Sequence, residues 1–277
     1  MIPPAYINAW AARSPWPNDA DIEQDLILSR LMVEIANHEL LGPELAMRGG
    51  TCLHKLHLPE PLRYSEDLDY VRSTEGGIGK YLDALREIVT AVGLEERSRE
   101  FSDQMVHMIF DTQASDESRR IRIKIETNIR EIEPRFDRVR VPYEVSSEWW
   151  FGQADLLTFE LDELMGTKLR ALYQRSKGRD LFDLWHALAN MDLNDERVID
   201  AYYHYIGDDA FTFPQLAENM KPKLGDPEFK ADLDDLVTDP PAGYELVQAA
   251  DLLMERLGSR LKNAPAVDQI AAGAWRA

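Results

Sequence analysis

The sequence predicts an α+β protein, with a mixed α/β first part and a helical second part. Apolar and charged residues alternate over residues 121–126, which is typical of a strand with one buried face. Residues 161–175 instead repeat apolar residues at helical spacing. The pattern changes soon after residue 150, so we expect an α/β core at 1–155 and a helical domain at 156–277.

The first part is expected to alternate helices with short strands. Residues 1–20 hold four prolines and show little periodicity, which predicts an irregular lead-in. Gly42-Pro43 is expected to end the first helix. In chain order, the predicted elements are helix 22–41, strand 45–48, a glycine turn at 49–51, a short helix at 51–56, strand 67–71, helix 80–92 and strands 105–111 and 121–126.

The second part contains only helical patterns. The predicted helices are 161–175, 179–191, 195–206, 227–237 and 243–261. Pro240-Pro241 is expected to separate the last two, because proline cannot continue a helix.

The chain is strongly acidic, with a formal net charge of −19 and a pI of about 4.7. This balance argues against non-specific nucleic-acid binding, which needs a positive surface. The basic residues are concentrated, however, in residues 119–140 and 168–179. These segments could hold a polyanion locally. The alternative interpretation is a solvated charged surface.

The sequence indicates no membrane partner and no secretion. No apolar run approaches the roughly 18–20 residues that cross a bilayer. Residues 1–16 lack the charged start and apolar core of a signal peptide. The single cysteine, Cys52, cannot form an internal disulfide, which fits a reducing environment. We therefore expect a cytoplasmic protein.

Two carboxylates lie two residues apart on a predicted strand. Asp67 and Asp69 would share one face, about 6.5–7 Å apart along the chain. They repel each other unless a cation lies between them, and Mg²⁺ prefers such oxygen ligands. Glu126 is a candidate third ligand, on a strand that could lie beside the first; such a trio could hold two metal ions. A surface pair is the alternative.

A glycine turn precedes these acids. Gly49-Gly50-Thr51 follows a predicted strand and opens a short helix, so the backbone could approach an anion closely. Thr51 adds a hydroxyl donor. A plain tight turn is the alternative, but this order would place a phosphate-binding turn beside a metal site.

These segments resemble the AbiEii/AbiGii family, which are the toxin nucleotidyltransferases of type IV toxin–antitoxin and abortive-infection systems and include the MenT enzymes. The resemblance covers residues 22 to about 190. The matching motifs are Arg48-Gly49-Gly50-Thr51-Cys52-Leu53, Arg63-Tyr64-Ser65-Glu66-Asp67-Leu68-Asp69, Ile123-Lys124-Ile125-Glu126, Glu163-Leu164-Met165-Gly166-Thr167-Lys168-Leu169-Arg170-Ala171-Leu172 and Arg175-Ser176-Lys177-Gly178-Arg179-Asp180-Leu181-Phe182-Asp183-Leu184.

The resemblance implies a polymerase-β-type nucleotidyltransferase core with a mixed sheet, followed by a helical C-terminal region. It implies that Asp67 and Asp69 hold Mg²⁺ or Mn²⁺. Lys168 would be the essential lysine of the family, and Asp180 its later essential aspartate, with Asp183 a competing assignment. The nucleotide-binding residues would be Gly49, Gly50, Thr51, Ser65 and Lys168.

The resemblance further implies transfer of a nucleotide from an NTP to RNA, at the tRNA 3′ end in the MenT group, which blocks translation. A cognate antitoxin would be a separate protein partner. Three alternatives stay open from the sequence: nucleotidylation (AMPylation) of a protein, a non-catalytic nucleotide-binding partner protein, and a metal-dependent phosphohydrolase.

Overall fold

The structure is a computed structural model that describes residues 2–58, 60, 62–237, 241 and 243–276. The chain divides into two compact units, Met1–Phe159 and Glu160–Ala277. The first contains the sheet, and the second contains helices, which confirms the predicted α+β class. Pro240 of the predicted proline break lies outside the described residues.

In the described part of the first unit, the strands form a seven-stranded mixed sheet in the order β3-β4-β5-β2-β1-β7-β6. Strand β2 pairs in parallel with β5, and β1 pairs in parallel with β7; the other neighbours are antiparallel. The strands are β1 Leu45–Arg48, β2 Asp67–Arg72, β3 Glu95–Phe101, β4 Met105–Gln113, β5 Arg120–Asn128, β6 Val139–Ser146 and β7 Phe151–Thr158.

Three of these strands were missing from the sequence prediction: β3, β6 and β7. Strands β3 and β6 form the two edges of the sheet. An edge strand needs less apolar surface and often carries charge, so the polar composition of β3 hides it from a hydrophobicity pattern. Strand β7 ends at Thr158, and the division between the two units follows it at Phe159.

The helices of the first unit are α1 Pro4–Trp10, α2 Asp19–Asn37, α3 Gly49–Cys52, which continues into a π-helical turn at Leu53–His57, and α4 Gly79–Ala91. Among these helices, α2, α3 and α4 contact the sheet, and α1 packs against α2. Helix α2 is buried along most of its length, and its Leu28 and Met32 are fully inaccessible to solvent. Helix α2 therefore forms the centre of the hydrophobic core of the first unit.

The expectation of an irregular lead-in at residues 1–20 was wrong, because α1 is helical. Pro4 opens the helix, a position where the missing N–H costs nothing. A buried carboxylate on α2 then fixes the segment: Asp25 accepts hydrogen bonds from Trp10 (2.8 Å) and Trp16 (3.0 Å), and Lys55 lies 2.8 Å away.

The second unit is helical in all its described regular elements. These are α5 Leu161–Gln174, α6 Gly178–Asn190, α7 Asp195–Ile206, α8 Phe213–Gly225, α9 Pro227–Ala231, α10 Leu246–Arg256 and α11 Val267–Ala271, with short 3₁₀ turns between them. The prediction missed α8, which has Pro214 in its first turn and Pro222 inside it. It made α9 and α10 too long.

Along the described part of the chain, no helix has the length and apolarity needed to cross a membrane.

Gly166 allows α5 to lie directly against α7. A Cβ at this position would be 2.7 Å from the Cβ of Ala201 and 2.8 Å from the main-chain N of Tyr202. These atoms belong to a neighbouring helix rather than to flexible side-chain ends, so they cannot move aside cheaply. The glycine therefore stabilises the helix pair despite its low helix propensity.

We expect Gly166→Ala to destabilise the protein by about 1–3 kcal/mol, because overpacking outweighs the gain in helix propensity. Chemical denaturation measures the difference. Gly225→Ala is the matched control, since a Cβ there meets nothing within 4 Å. A Gly166→Ala protein as stable as the control would show that α5 and α7 do not pack this closely.

Candidate active site

The parallel pairing of β2 with β5 brings the predicted acids together. Asp69 is the register partner of Glu126, and Asp67 is the register partner of Lys124. Because alternate residues of a strand share a face, these four side chains lie on the same face of the sheet. The Asp-x-Asp pair is thus part of a four-residue charged cluster.

Asp69 is partly buried and lies close to the other two acids. Burial, together with repulsion from Glu126 and Asp67, raises the pKa of Asp69 to about 7. Glu126 accepts a hydrogen bond from Asp69. Although burial opposes it, the nearby Lys124 ammonium keeps the pKa of Glu126 below its usual value. Of these two acids, Asp69 is therefore the one that holds a proton more readily, and the negative charge is favoured on Glu126.

Lys124 and His107 complete the cluster. The Nζ of Lys124 lies 3.0 Å from Oδ2 of Asp67 and 3.1 Å from Oε2 of Glu126. The Nδ1 of His107 lies 2.6 Å from Oε1 of Glu126. Burial lowers the pKa of Lys124, but the two carboxylates raise it by a larger amount, so the pKa lies above its usual value.

In this arrangement, the described residues contain no group of three His, Cys, Asp or Glu side chains gathered closely enough to hold a metal ion. The donor chemistry nevertheless fits a divalent cation. Asp67, Asp69 and Glu126 offer carboxylate oxygens, which hard cations prefer. The raised pKa of Asp69 is caused by burial and by repulsion from the other two acids, and a bound cation would relieve that repulsion.

Gly49 is needed for Asp69 to occupy its position. Its φ of +80° lies in the region that favours glycine, and a Cβ there would be 1.9 Å from Oδ2 of Asp69. The carboxylate therefore packs directly on the backbone at the end of β1. The sequence predicted that the glycine turn lies beside the acids. The contact between Gly49 and the Asp69 carboxylate joins the two motifs.

The second glycine faces a different set of side chains. A Cβ on Gly50 would be 2.6 Å from a terminal guanidinium nitrogen of Arg63 and 2.8 Å from Oγ of Ser65. Arg63 is buried and donates from Nη1 to the main-chain O of Tyr64 at 3.1 Å. The turn thus lies under a guanidinium and a hydroxyl, both suited to an anion.

Thr51 is a structural link in this turn. It is fully buried, and its hydroxyl donates to the main-chain O of Asp67 at 2.6 Å. The same hydroxyl oxygen lies 3.0 Å from Oγ of Ser65. The hydrogen bond ties the start of α3 to the start of β2, so the glycine turn and the acids move as one piece.

Sequence reasoning missed Lys124, His107 and Arg63 as members of this site. Lys124 could have been found, since it lies two residues before Glu126 and so on the same strand face. His107 could not, because its place depends on the pairing of β4 with β5, where it is the partner of Glu126. Arg63 belongs to an irregular segment whose burial has no sequence signature.

The predicted residues of the second unit form their own buried cluster. The Nζ of Lys168 lies 3.2 Å from Oδ1 of Asp180 and 2.7 Å from Oδ2 of Asp183. Arg175 binds Asp180 with two hydrogen bonds, from Nε at 2.6 Å and Nη2 at 2.8 Å. Lys168 therefore contacts both of the competing acids.

Neighbouring cations keep Asp180 ionised in this cluster. Burial raises the pKa of Asp180, but Lys168 and Arg175 lower it by a larger amount, so the pKa lies below its usual value. Asp180 and Asp183 have no exposed side-chain surface. Two buried carboxylates with two cations are electrically balanced, and removal of either cation would leave a buried charge without its main partner.

Comparison with solved structures identifies the class of fold. The chain is similar to MenT4, a nucleotidyltransferase toxin from Mycobacterium tuberculosis, with a TM-score of 0.64 and 17% identity, covering 98% of this chain and 94% of that one. A candidate nucleotidyltransferase from Helicobacter pylori has a TM-score of 0.50 and 17% identity, covering 92% of this chain and 96% of that one. The fold is thus of the nucleotidyltransferase-toxin type.

Residues 30–272 match the family described as "Nucleotidyl transferase AbiEii toxin, Type IV TA system". Since this match spans most of the chain, the protein belongs to the AbiEii nucleotidyltransferase family, which confirms the resemblance stated from the motifs. A search of curated protein sequences gives no significant match.

We expect Gly49→Ala to abolish nucleotidyl transfer, because the new methyl group would displace the Asp69 carboxylate. Gly76→Ala is the matched control: Gly76 also has a positive φ, +101°, but a Cβ there meets nothing within 4 Å. Transfer rates and melting temperatures of both variants separate displacement of Asp69 from backbone strain. Equal residual activity in the two variants would contradict the role of this contact.

Proposed function

We propose that this protein transfers a nucleotide from an NTP to the 3′ end of an RNA, specifically tRNA, and thereby blocks translation. One observation carries the proposal: Asp67, Asp69 and Glu126 lie on adjacent parallel strands beside a glycine turn that packs on Asp69. Such a site combines carboxylates for a divalent cation with backbone open to a phosphate.

Asp67, Asp69 and Glu126 would hold Mg²⁺ or Mn²⁺. When bound, the metal ion would neutralise the phosphates and make the attacking hydroxyl more acidic. The turn at Gly49, Gly50 and Thr51, with Ser65, would position the triphosphate. Catalysis of this kind relies on positioning and electrostatics more than on covalent chemistry of the protein.

In the proposed reaction, the RNA 3′ oxygen attacks the α-phosphorus of the NTP. The bond from that phosphorus to the β-bridging oxygen breaks, pyrophosphate leaves, and the hydroxyl proton passes to water. We propose that Lys168 and Asp180 also serve this reaction, with the Lys168 ammonium as a compact charge for triphosphate oxygens. This assignment rests on the family motif and on the buried ion pairs of Lys168.

Exposed arginines support an RNA acceptor in spite of the acidic balance. Arg122, Arg130, Arg135 and Arg140 are exposed in the first unit. Arg119 and Arg120 are exposed as well, and they pair with Asp21 and Asp111. Exposed guanidinium groups attract phosphates, and their contribution falls with added salt. Binding of tRNA should therefore weaken as ionic strength rises.

A cognate antitoxin is the protein partner that we propose, because the family is defined by type IV toxin–antitoxin systems. A cytoplasmic location accords with a tRNA substrate and stays a prediction.

The decisive assay supplies each labelled NTP with magnesium to the purified protein, first with purified tRNA and then with total cell protein. We expect label in tRNA, loss of transfer with EDTA, and recovery with added Mg²⁺ or Mn²⁺. Label in protein alone would favour protein nucleotidylation. Release of phosphate or pyrophosphate without any labelled acceptor would favour a hydrolase, and no turnover would favour a binding protein.

We expect Asp69→Asn to lower transfer roughly 10²–10³-fold, because one ligand charge is lost from the site. The fold should persist, since the variant keeps the shape of the side chain and removes a buried charge. Asp137→Asn, at an exposed acid of the same unit, is the control. Transfer at more than half the control rate would rule out Asp69 as a metal ligand.

We expect Lys168→Gln to reduce transfer roughly 10²-fold and to raise the KM for the NTP, because a positive charge for the triphosphate is removed. Lys177→Gln is the control, since Lys177 is half-exposed and pairs with Asp232 at 3.3 Å. Melting curves report any loss of folded protein. If the fraction of activity lost is no larger than the fraction of Lys168→Gln protein that is unfolded, then Lys168 has only a structural role.

A further inference from the structure

Lys124 occupies the centre of the charged cluster in the first unit. Its Nζ lies 3.0 Å from Asp67 and 3.1 Å from Glu126, so one ammonium bridges two strands and two carboxylates. A cation that binds both acids would need the same space. Lys124 and a divalent ion would therefore compete for these oxygens.

The other contacts of Glu126 make this competition specific. Its Oε1 is engaged by His107, and its Oε2 is the oxygen that Lys124 contacts. His107 reaches only one of the proposed ligands, whereas Lys124 bridges two. Arg48, the nearest cation on β1, is paired with Glu131 at 2.6 Å. Lys124 is thus a cation that contacts both Asp67 and Glu126, and its movement would remove that shared contact.

The position of Lys124 also permits that movement. Its side chain is 30% exposed, and so is that of Asp67. A lysine carries its charge on a flexible four-carbon stem, so the ammonium can leave the carboxylates without a change in the strand. A partly exposed ion pair is weak enough to be replaced by a doubly charged ion.

We propose that Lys124 is an internal counter-cation, which neutralises Asp67 and Glu126 before a divalent metal ion binds and which that ion must displace. The inference rests on the proposed function, since it takes both acids as metal ligands. It makes Lys124 a positioning residue that limits metal affinity while it keeps the acids paired in the metal-free protein.

The test is a titration with Mn²⁺ in the absence of NTP and RNA, with free Mn²⁺ measured by electron paramagnetic resonance. We expect Lys124→Gln to bind Mn²⁺ about tenfold more tightly than the unchanged protein, because a competing unit charge is removed. Lys124→Arg keeps the charge and should bind within a few-fold of the unchanged protein.

Arg122→Gln is the matched control. Arg122 lies on the same strand and the same face, two residues before Lys124, and the variant removes the same charge. We expect less than about a threefold change there, because its more distant charge is screened. An equal gain at Arg122 and Lys124 would overturn the inference, as would unchanged or weaker binding by Lys124→Gln.

The titration distinguishes failure of the metal site from failure of the counter-cation role of Lys124. Binding by the unchanged protein without a gain in Lys124→Gln removes the counter-cation and leaves the metal site. No Mn²⁺ binding in any of these folded variants, as judged by circular dichroism, removes both, and the nucleotidyl-transfer assay then decides separately whether the chain is an active enzyme.

Discussion

The parallel pairing of β2 with β5 is the constraint on which the candidate site depends. One register places Asp69 opposite Glu126 and Asp67 opposite Lys124. A shift by one residue would turn the side chains of one strand to the other face and separate the acids. The buried Leu68 and Ile125, which are also register partners, oppose that shift because their own face lies in the core.

The glycine turn converts this sheet geometry into a site that could bind a phosphate. Gly49 brings the backbone against the Asp69 carboxylate, and the Thr51 hydroxyl ties the turn to the main chain of Asp67. The acids and the turn are therefore fixed to each other by contacts within one unit. A substitution in the glycine turn should therefore displace the acids, and a substitution at the acids should disturb the turn. This dependence explains why the glycine motif and the Asp-x-Asp motif occur together.

Much of the fold could be predicted from the sequence, because strong patterns have direct physical causes. Alternation identified β5, and helical spacing identified α2, α5 and α6. Strands β3 and β6 could not be predicted from hydrophobicity. They are the edge strands of the sheet, and the burial of their residues depends on which strands lie beside them. Helix α1 was hidden because its proline begins the helix rather than breaking it.

For the site, local order along the chain predicted the acids and the glycine turn, whereas cross-strand partners required the structure. His107 lies 19 residues from Glu126 and reaches it only through the β4–β5 ladder. Lys124 was visible in the motif, but its role as partner of two carboxylates depends on strand pairing. Sequence periodicity specifies which face a residue occupies, and only strand order specifies what lies beside it.

The most direct measurement is a crystal structure of the protein with Mn²⁺ and a non-hydrolysable NTP, with the metal located by its anomalous scattering. The account predicts anomalous density within bonding distance of Asp67 and Asp69, with the triphosphate against the glycine turn. Metal bound away from both aspartates, or a triphosphate held elsewhere with the turn empty, would contradict it.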